Sequence, residues 1–322
     1  MTGRMAQLPT IDILLATCNG AEYIESQLES LIEQTYQNIR ILVADDASTD
    51  DTLEIVEKFQ RRDSRIIICD TCRKRGSAKR NFLFLLEKAE SDLLMFCDQD
   101  DVWSKTKVED TLKLMLSGEW IDKPRLVYSD MKVVDGNLKV INDSFLRSSR
   151  IPIGFYDLNS VAVQNIGAGC TMMLNKPLVC LARRQVDVEK IVMHDWWVAM
   201  IAAAFGSIGF LNSATVLYRQ HERNSVGAVT YSVVKNAVNI RRMVNRIELA
   251  RRQAEEFQKV FEDSLTERQK RDLESFHEIA YLPLAVRIPR ILFHCKVWKK
   301  GVARKVGQAV SLVLLDGKRK RK

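Results

Sequence analysis

The chain has 322 residues, 46% of them apolar, and a formal net charge of +8. That length holds one large domain with an appendage, and the apolar content is ample for a folded core. The seven cysteines, at 18, 69, 72, 97, 170, 180 and 295, make no disulfide-dense pattern. The C-x-x-C at 69–72 lacks the second pair a zinc site needs, so buried free thiols in a reducing compartment are expected.

The opening MTGRMAQLPT has no apolar stretch of the kind a signal peptide carries. Val198–Leu211, the longest weakly polar run, has 14 residues and is too short to span a bilayer. A soluble or peripheral chain is expected. Charge is unevenly spread: residues 282–322 carry twelve Lys or Arg against one Asp, which leaves the remainder at net −3. A basic tail on a mildly acidic body points to a negatively charged partner.

In chain order, the spacing predicts a strand at Ile11–Ala16, a helix at Tyr23–Gln34 and a strand at Ile39–Ala44. A helix over Thr52–Arg61 follows, with Ser48, Thr49 and Asp50 as offered caps. Then come a strand at Arg65–Cys69, a helix at Ser77–Ala89 and a strand at Leu93–Cys97. Strands alternating with helices predict an α/β fold with parallel pairing and helices on both faces. Beyond this the pattern is mixed, with strands at Leu126–Ser129, Gly169–Leu174 and Thr215–Arg219 and a helix opening near Trp196. Past Tyr231 the chain reads as helical and basic. A domain change near 230 divides it into residues 1–230, catalytic, and 231–322, a basic C-terminal region.

Five segments carry chemistry. CDQDDVW (97–103) places Asp98, Asp100 and Asp101 directly after an apolar strand. Like carboxylates repel, and a divalent cation shared with a diphosphate relieves the repulsion; hard oxygen ligands suit Mg²⁺ or Mn²⁺. A solvated acidic turn is the competing reading of the triplet alone. ADDASTDD (44–51) follows another strand on the same expected sheet edge, where ligands bind in open α/β sheets, and capping leaves Asp45 and Asp46 unexplained. MHDWW (193–197) sets Asp195 among apolar neighbours that raise a carboxylate's basicity, or else Asp195 caps a helix above core tryptophans. LYRQHERNSVGA (217–228) brings Arg219, His221 and Arg223 to a strand end, as a phosphate clamp or metal ligand would require. RKRGSAKRN (73–81) places Lys79 and Arg80 at a helix start suited to phosphate oxygens, or makes a solvated basic turn.

Taken in order, these segments, with ATCNGAEYIESQLESLIEQTY at the start, resemble the family 2 glycosyltransferases of GT-A fold over about residues 10–228. NIGAGCTMMLN, MHDWW and LYRQHERNSVGA are similar to bacterial rhamnosyltransferases that build cell-wall polysaccharides or O-antigens, of the streptococcal polyrhamnose type. The resemblance implies the GT-A nucleotide-diphospho-sugar transferase fold, a Rossmann-like mixed sheet, with a helical basic C-terminal extension. It implies that Thr17, Asn19 and Asp46 hold base and ribose, that Arg80 lies near the diphosphate, and that Asp98 and Asp100 form the DxD. Asp100 is then the direct metal ligand, His221 a group near the diphosphate and on the metal, and Asp195 the catalytic base. The implied cofactor is Mg²⁺ or Mn²⁺, and the implied donor dTDP-L-rhamnose, with a UDP-hexose or UDP-N-acetylhexosamine as alternative. A glycan or polyprenyl-linked acceptor at the inner face of the cell membrane completes the implied reaction. Ala47 departs from the Gly of many relatives. The basic tail is read as a membrane-surface segment or as a helical pair packing on the catalytic domain. Nucleic acid is the rival partner for a basic chain, but the predicted cleft edge is acidic and no nucleic-acid-binding signature is present.

Overall fold

The computed structural model describes residues 8–71, 73–154, 156–221 and 240–315. Cys72, Arg223 and the terminal KRKRK therefore lie outside the described residues. The chain forms two compact units. One comprises Met1–Ile153, Gly167–Arg183 and Gly206–Val229; the other comprises Gly154–Ile166, Arg184–Phe205 and Thr230–Lys322.

The first unit is built on one sheet. Its strands are β1 Ile11–Thr17, β2 Ile39–Asp45, β3 Ile66–Asp70, β4 Leu93–Cys97, β5 Val102–Trp103, β6 Arg125–Val134, β7 Val140–Asn142, β8 Met172–Asn175 and β9 Ser207–Arg219. The spatial order is β3-β2-β1-β4-β8-β6-β9-β5, with β7 on β6. β1, β2, β3 and β4 pair in parallel, whereas β8 is antiparallel to both β4 and β6 and β5 is antiparallel to β9. The sheet is therefore mixed, as expected. Its parallel half reads as near-continuous apolar runs because both faces are covered. The helices α1 Ile24–Ile32, α2 Thr52–Arg62, α3 Ala78–Lys88 and α4 Lys107–Leu116 provide the cover. Leu28, Leu31, Val56, Phe59, Val108 and Leu112 cluster with Ile13, Val43 and Met95 on one face. On the other, Phe82 of α3 meets Phe96 edge-on at 5.4 Å.

The amino ends of β1, β2 and β4 are tied by Asp12, which is fully buried. Its carboxylate accepts from Arg40 at 2.7 and 2.8 Å, from Ser91 Oγ at 2.7 Å and from the Glu90 and Ser91 N–H groups. Burial alone raises its pKa, but Arg40 and Ser91 prevail and hold it below the ordinary carboxylate range. At the start of β9, a Cβ on Gly206 would sit 1.7 Å from the Pro124 carbonyl oxygen, so only glycine lets this strand lie against β6.

Two local expectations need correction. Gly169–Thr171 is a 3₁₀ turn and the strand begins only at Met172. The residue before α2 is Asp51, with no side-chain cap; Asp50 instead accepts from the Thr52 N–H at 3.2 Å and the Ala21 N–H at 3.1 Å, while Ser48 and Thr49 bond elsewhere.

The second unit is helical among its described residues. Its main helices are His194–Phe205, Ile240–Val260, Glu267–His277 and Val302–Val313. Trp197, Phe205, Phe257 and Phe261 form an aromatic core, with Trp197 edge-on to Phe257 at 5.3 Å. Thr266 and Gln269 form a reciprocal capping box before Glu267–His277. Among the described residues, no helix is long and apolar enough to cross a membrane.

Candidate active site

β1, β2 and β4 are parallel neighbours, so the loops after them meet at one edge of the sheet. Thr17, the last residue of β1, is paired in register with Asp45, the last of β2. Thr17 Oγ1 donates to Asp45 Oδ1 at 2.8 Å, and Asp45 also accepts from Ser48 N–H at 2.7 Å and Ser48 Oγ at 2.6 Å. Ser48 Oγ accepts from the Asn19 N–H, and Asn19 Oδ1 from the Thr49 N–H, both at 2.8 Å. Asn19 adopts φ 48°, which Asn tolerates, whereas Ala47 at φ 58° is strained by its Cβ. Asp46 faces the loop after β3: its carboxylate accepts from the Arg75 N–H and, at 2.9 Å, from the Gly76 N–H.

The loop after β4 is fastened to the same edge by Gln99. Its Oε1 accepts from the Cys18 N–H at 2.8 Å and its Nε2 donates to the Cys18 carbonyl at 3.0 Å. Gly20 makes room for it, since a Cβ there would lie 2.3 Å from Gln99 Oε1. Beside Gln99, Asp100 Oδ2 lies 2.9 Å from His221 Nε2, and both side chains are 15% exposed. The His221 ring stacks on Tyr23 with centroids 4.8 Å apart. Arg219 holds this loop from β9: its N–H reaches Asp101 Oδ1 at 3.1 Å, its Nε donates to the Asp100 carbonyl at 2.8 Å, and its guanidinium lies 4.5 Å over the Tyr23 ring.

Asp98 and Asp101 each bring a carboxylate oxygen to within 4.8 Å of the other and of Cys170 Sγ. Burial pushes the Asp101 carboxyl well above its ordinary range, and the Asp100 and Asp98 charges push it further. Its Oδ2 receives no N–H or O–H donor among the described residues. The Cys170 thiol is also pushed up by burial and by these carboxylates, so it stays protonated and is a poor partner for a hard cation. Lys107 is buried nearby, donates to Thr215 Oγ1 at 3.3 Å, and is held down to about 8 by burial.

Thr17, Asn19, Asp46, Asp98, Asp100 and His221 thus come from separate segments to one edge of one unit. Arg80 is exposed in the first turn of α3, behind the Ser77 cap. Asp195 belongs to the helical unit, in the first turn of His194–Phe205, where its Oδ1 accepts from the Trp196 N–H at 2.6 Å. It is buried inside the turn rather than capping it. Trp196 Nε1 donates to the Val161 carbonyl at 2.6 Å, and Trp197 is core. Sequence reasoning missed the clamping role of Gln99 and the stacking of Tyr23. Gly20, in the N-G pair after β1, was the readable signal for a close approach there; nothing marked Tyr23.

The family model for glycosyl transferase family 2 matches residues 12–165. A dTDP-rhamnosyl transferase, RfbG, of Shigella flexneri is 31% identical over 66% of this chain and 74% of that protein. The chain belongs to glycosyl transferase family 2. Another relative, the Escherichia coli UDP-Glc:alpha-D-GlcNAc-diphosphoundecaprenol beta-1,3-glucosyltransferase WfaP, is 38% identical, over only 33% of this chain and 41% of that protein. Among solved structures, residues 1–349 of Staphylococcus aureus TarS in complex with UDP-GlcNAc superpose with TM-score 0.57 at 17% identity, over 95% of this chain and 90% of that one. The mannosyltransferase PcManGT from Pyrobaculum calidifontis, in complex with GDP-Man and Mn²⁺, gives 0.57 at 13% identity, over 96% and 86%. The family 2 chain therefore has the GT-A fold, and it is a glycosyltransferase.

Proposed function

We propose that this glycosyltransferase moves L-rhamnose from dTDP-L-rhamnose to a hydroxyl of a growing, lipid-linked bacterial surface polysaccharide, with inversion at the anomeric carbon. The catalytic domain is assigned to residues 1–230 and a basic C-terminal region to 231–322, working at the cytoplasmic face of the membrane. The similarity to RfbG along most of that protein carries the choice of sugar. The convergence of the three strand-end loops supports a nucleoside diphosphate there: Asp46, Asn19 and Thr17 are assigned to base and ribose, and Arg80 and Asp98 to the diphosphate side.

The residues present fit a hard divalent cation. Asp100 Oδ2 and His221 Nε2 lie 2.9 Å apart, close to the roughly 3 Å between adjacent ligands in an octahedron with bonds of about 2.1 Å. Asp100 and His221 would hold Mg²⁺ or Mn²⁺, which when bound would supply Lewis-acid neutralisation of the leaving diphosphate. Asp100 is oriented for this by the hold of Arg219 on its carbonyl, and His221 by its stacking on Tyr23. Asp195 is assigned as the base that takes the acceptor's proton, worth about 10²- to 10⁴-fold in rate.

A UDP-hexose donor is the second reading, favoured by the similarity to WfaP over a third of this chain. Purified protein with Mn²⁺, offered dTDP-L-rhamnose, UDP-glucose and UDP-N-acetylglucosamine beside a rhamnan acceptor, separates the two by nucleotide release. Release from dTDP-L-rhamnose alone is expected; release from a UDP-sugar alone overturns the assignment.

A further inference from the structure

The carboxyl-terminal part of the helical unit buries several polar side chains and leaves many apolar ones in solvent. Leu284–Pro289 buries Arg287, at 7% exposure, and exposes Leu284, Val286 and Ile288. The π-helical turn that follows exposes Leu292 and Phe293, the latter at 72%. Val302–Val313 buries Gln308 and Ser311 beside Leu312 and turns Val302, Val306, Val310 and, just past its end, Leu314 to solvent. These four positions are spaced by four residues and form one stripe along the helix.

The buried polar side chains are held by specific bonds. The Arg287 guanidinium donates to the Ala280 and Leu282 carbonyls at its own end and to the Val313 and Leu315 carbonyls at the end of the last helix. Arg287 thereby satisfies carbonyls that a helix terminus leaves without partners and fastens the two helical segments together. Gln308 Oε1 accepts from the Lys299 N–H, and its Nε2 donates to the Val297 carbonyl, both at 2.8 Å. The buried polar groups serve the turns of the hairpin, so the aliphatic side chains face outward. So many outward aliphatic side chains on one hairpin exceed the scattered apolar exposure of an ordinary surface.

What covers them is indicated by charge. Between Leu282 and Leu315 there are seven Lys or Arg and no Asp or Glu. Arg290, Lys296 and Lys305 are exposed among the aliphatic residues. Aliphatic edges interleaved with cations and free of acid match an anionic bilayer interface, where apolar side chains enter the acyl boundary and cations meet the headgroups. We propose that the hairpin of residues 284–314 docks this chain on an anionic membrane surface through Leu292, Phe293, Val302 and Val306. This deepens the cellular placement in the proposed function, yet its test reads binding without turnover, so it stands or falls apart from the donor assignment.

The full chain is sedimented with vesicles of phosphatidylcholine and phosphatidylglycerol at 3:1, and with phosphatidylcholine alone. The variants are the pairs Leu292→Ser with Phe293→Ser and Val302→Ser with Val306→Ser. All four residues are exposed, and circular dichroism checks the fold. The wild type is expected to partition onto the anionic vesicles only, and each pair to lose about tenfold or more of that partition at low salt. Three results overturn the proposal. The wild type stays in the supernatant; or both pairs bind like the wild type, leaving charge alone responsible; or light scattering finds a wild-type dimer that the pairs dissociate while vesicle binding is unchanged, which gives the face to a second copy.

Discussion

The two units use their buried and half-buried polar groups in opposite ways. In the sheet unit, Asp45, Asp46 and Gln99 are spent on fastening loops at the carboxyl ends of strands, and the result is a rigid concentration of carboxylates at one edge. In the helical unit, Arg287 and Gln308 are spent on closing helical turns, and the result is a surface of aliphatic side chains. A buried polar group must find partners wherever it lies. Where those partners are decides which neighbouring side chains are left to meet a ligand, and the two units thereby acquire unlike chemistry from one physical rule.

The sharpest way to break this division is to remove the carboxylate assigned to chemistry from each unit. Asp195→Asn, in the helical unit, is expected to lower kcat by about 10²- to 10⁴-fold while leaving donor affinity near that of the wild type, measured by steady-state kinetics and calorimetry. Asp100→Asn, in the sheet unit, is expected to weaken Mn²⁺-dependent donor binding as well as turnover, each by about 10²-fold. If Asp195→Asn abolished donor binding and Asp100→Asn did not, the division of labour would be reversed.

Gly20→Ala tests whether the loops act as one body. Its Cβ displaces Gln99 and with it both bonds to Cys18. Donor affinity is expected to fall about tenfold with kcat nearly kept, since the loss of one or two hydrogen bonds is worth about 1–2 kcal/mol.

Acid contrasts the units through stability. Burial holds His194 down to about 3, against 6.5 for the free side chain. Between those values the unfolded chain binds a proton that the folded one does not, so stability is lost as pH falls from 6.5 toward 3, with a slope of up to about 1.4 kcal/mol per pH unit. In the sheet unit, Lys107 at about 8, against 10.5, makes stability rise as pH climbs through that interval, because there the unfolded lysine keeps the proton. Urea midpoints across pH should flatten on the acid side in His194→Gln and on the alkaline side in Lys107→Met.

The smallest effect expected is a gain. Ala47 sits at φ 58°, and Ala47→Gly removes a left-handed strain of about 1–2 kcal/mol, less the added chain entropy of glycine. A rise of up to about 1 kcal/mol by urea denaturation, with unchanged kinetics, is the outcome expected.

The parallel half of the fold was legible because a strand covered on both faces must be apolar throughout. β4 was bounded as found, and β1, β2 and β3 to within one residue at each end. The acidic clusters were legible for a related reason: a carboxylate run directly after an apolar strand has to emerge at a strand tip. The rest of the sheet, where parallel and antiparallel pairs mix, was harder. β9 runs from Ser207, well before the Thr215 expected, because its first half is glycine-bearing and only partly buried and carries no period. That Gly154–Ile166 and Arg184–Phe205 pack with the helical unit is likewise written in no local pattern, since it depends on which aromatic residues of distant segments fit around Trp197.

By itself the chain's order of residues determined the parallel strands, the acidic strand tips, the basic carboxyl end and the family, all of which follow from local periodicity and contiguous motifs. Tertiary structure alone decided that His221 meets Asp100, that Gln99 clamps Cys18 and that Arg287 turns a hairpin's aliphatic residues outward. Those pairings lie 121, 81 and 28 residues apart or less, and a hydrogen bond is selected by where the folded backbone brings its two ends, which no window of sequence contains.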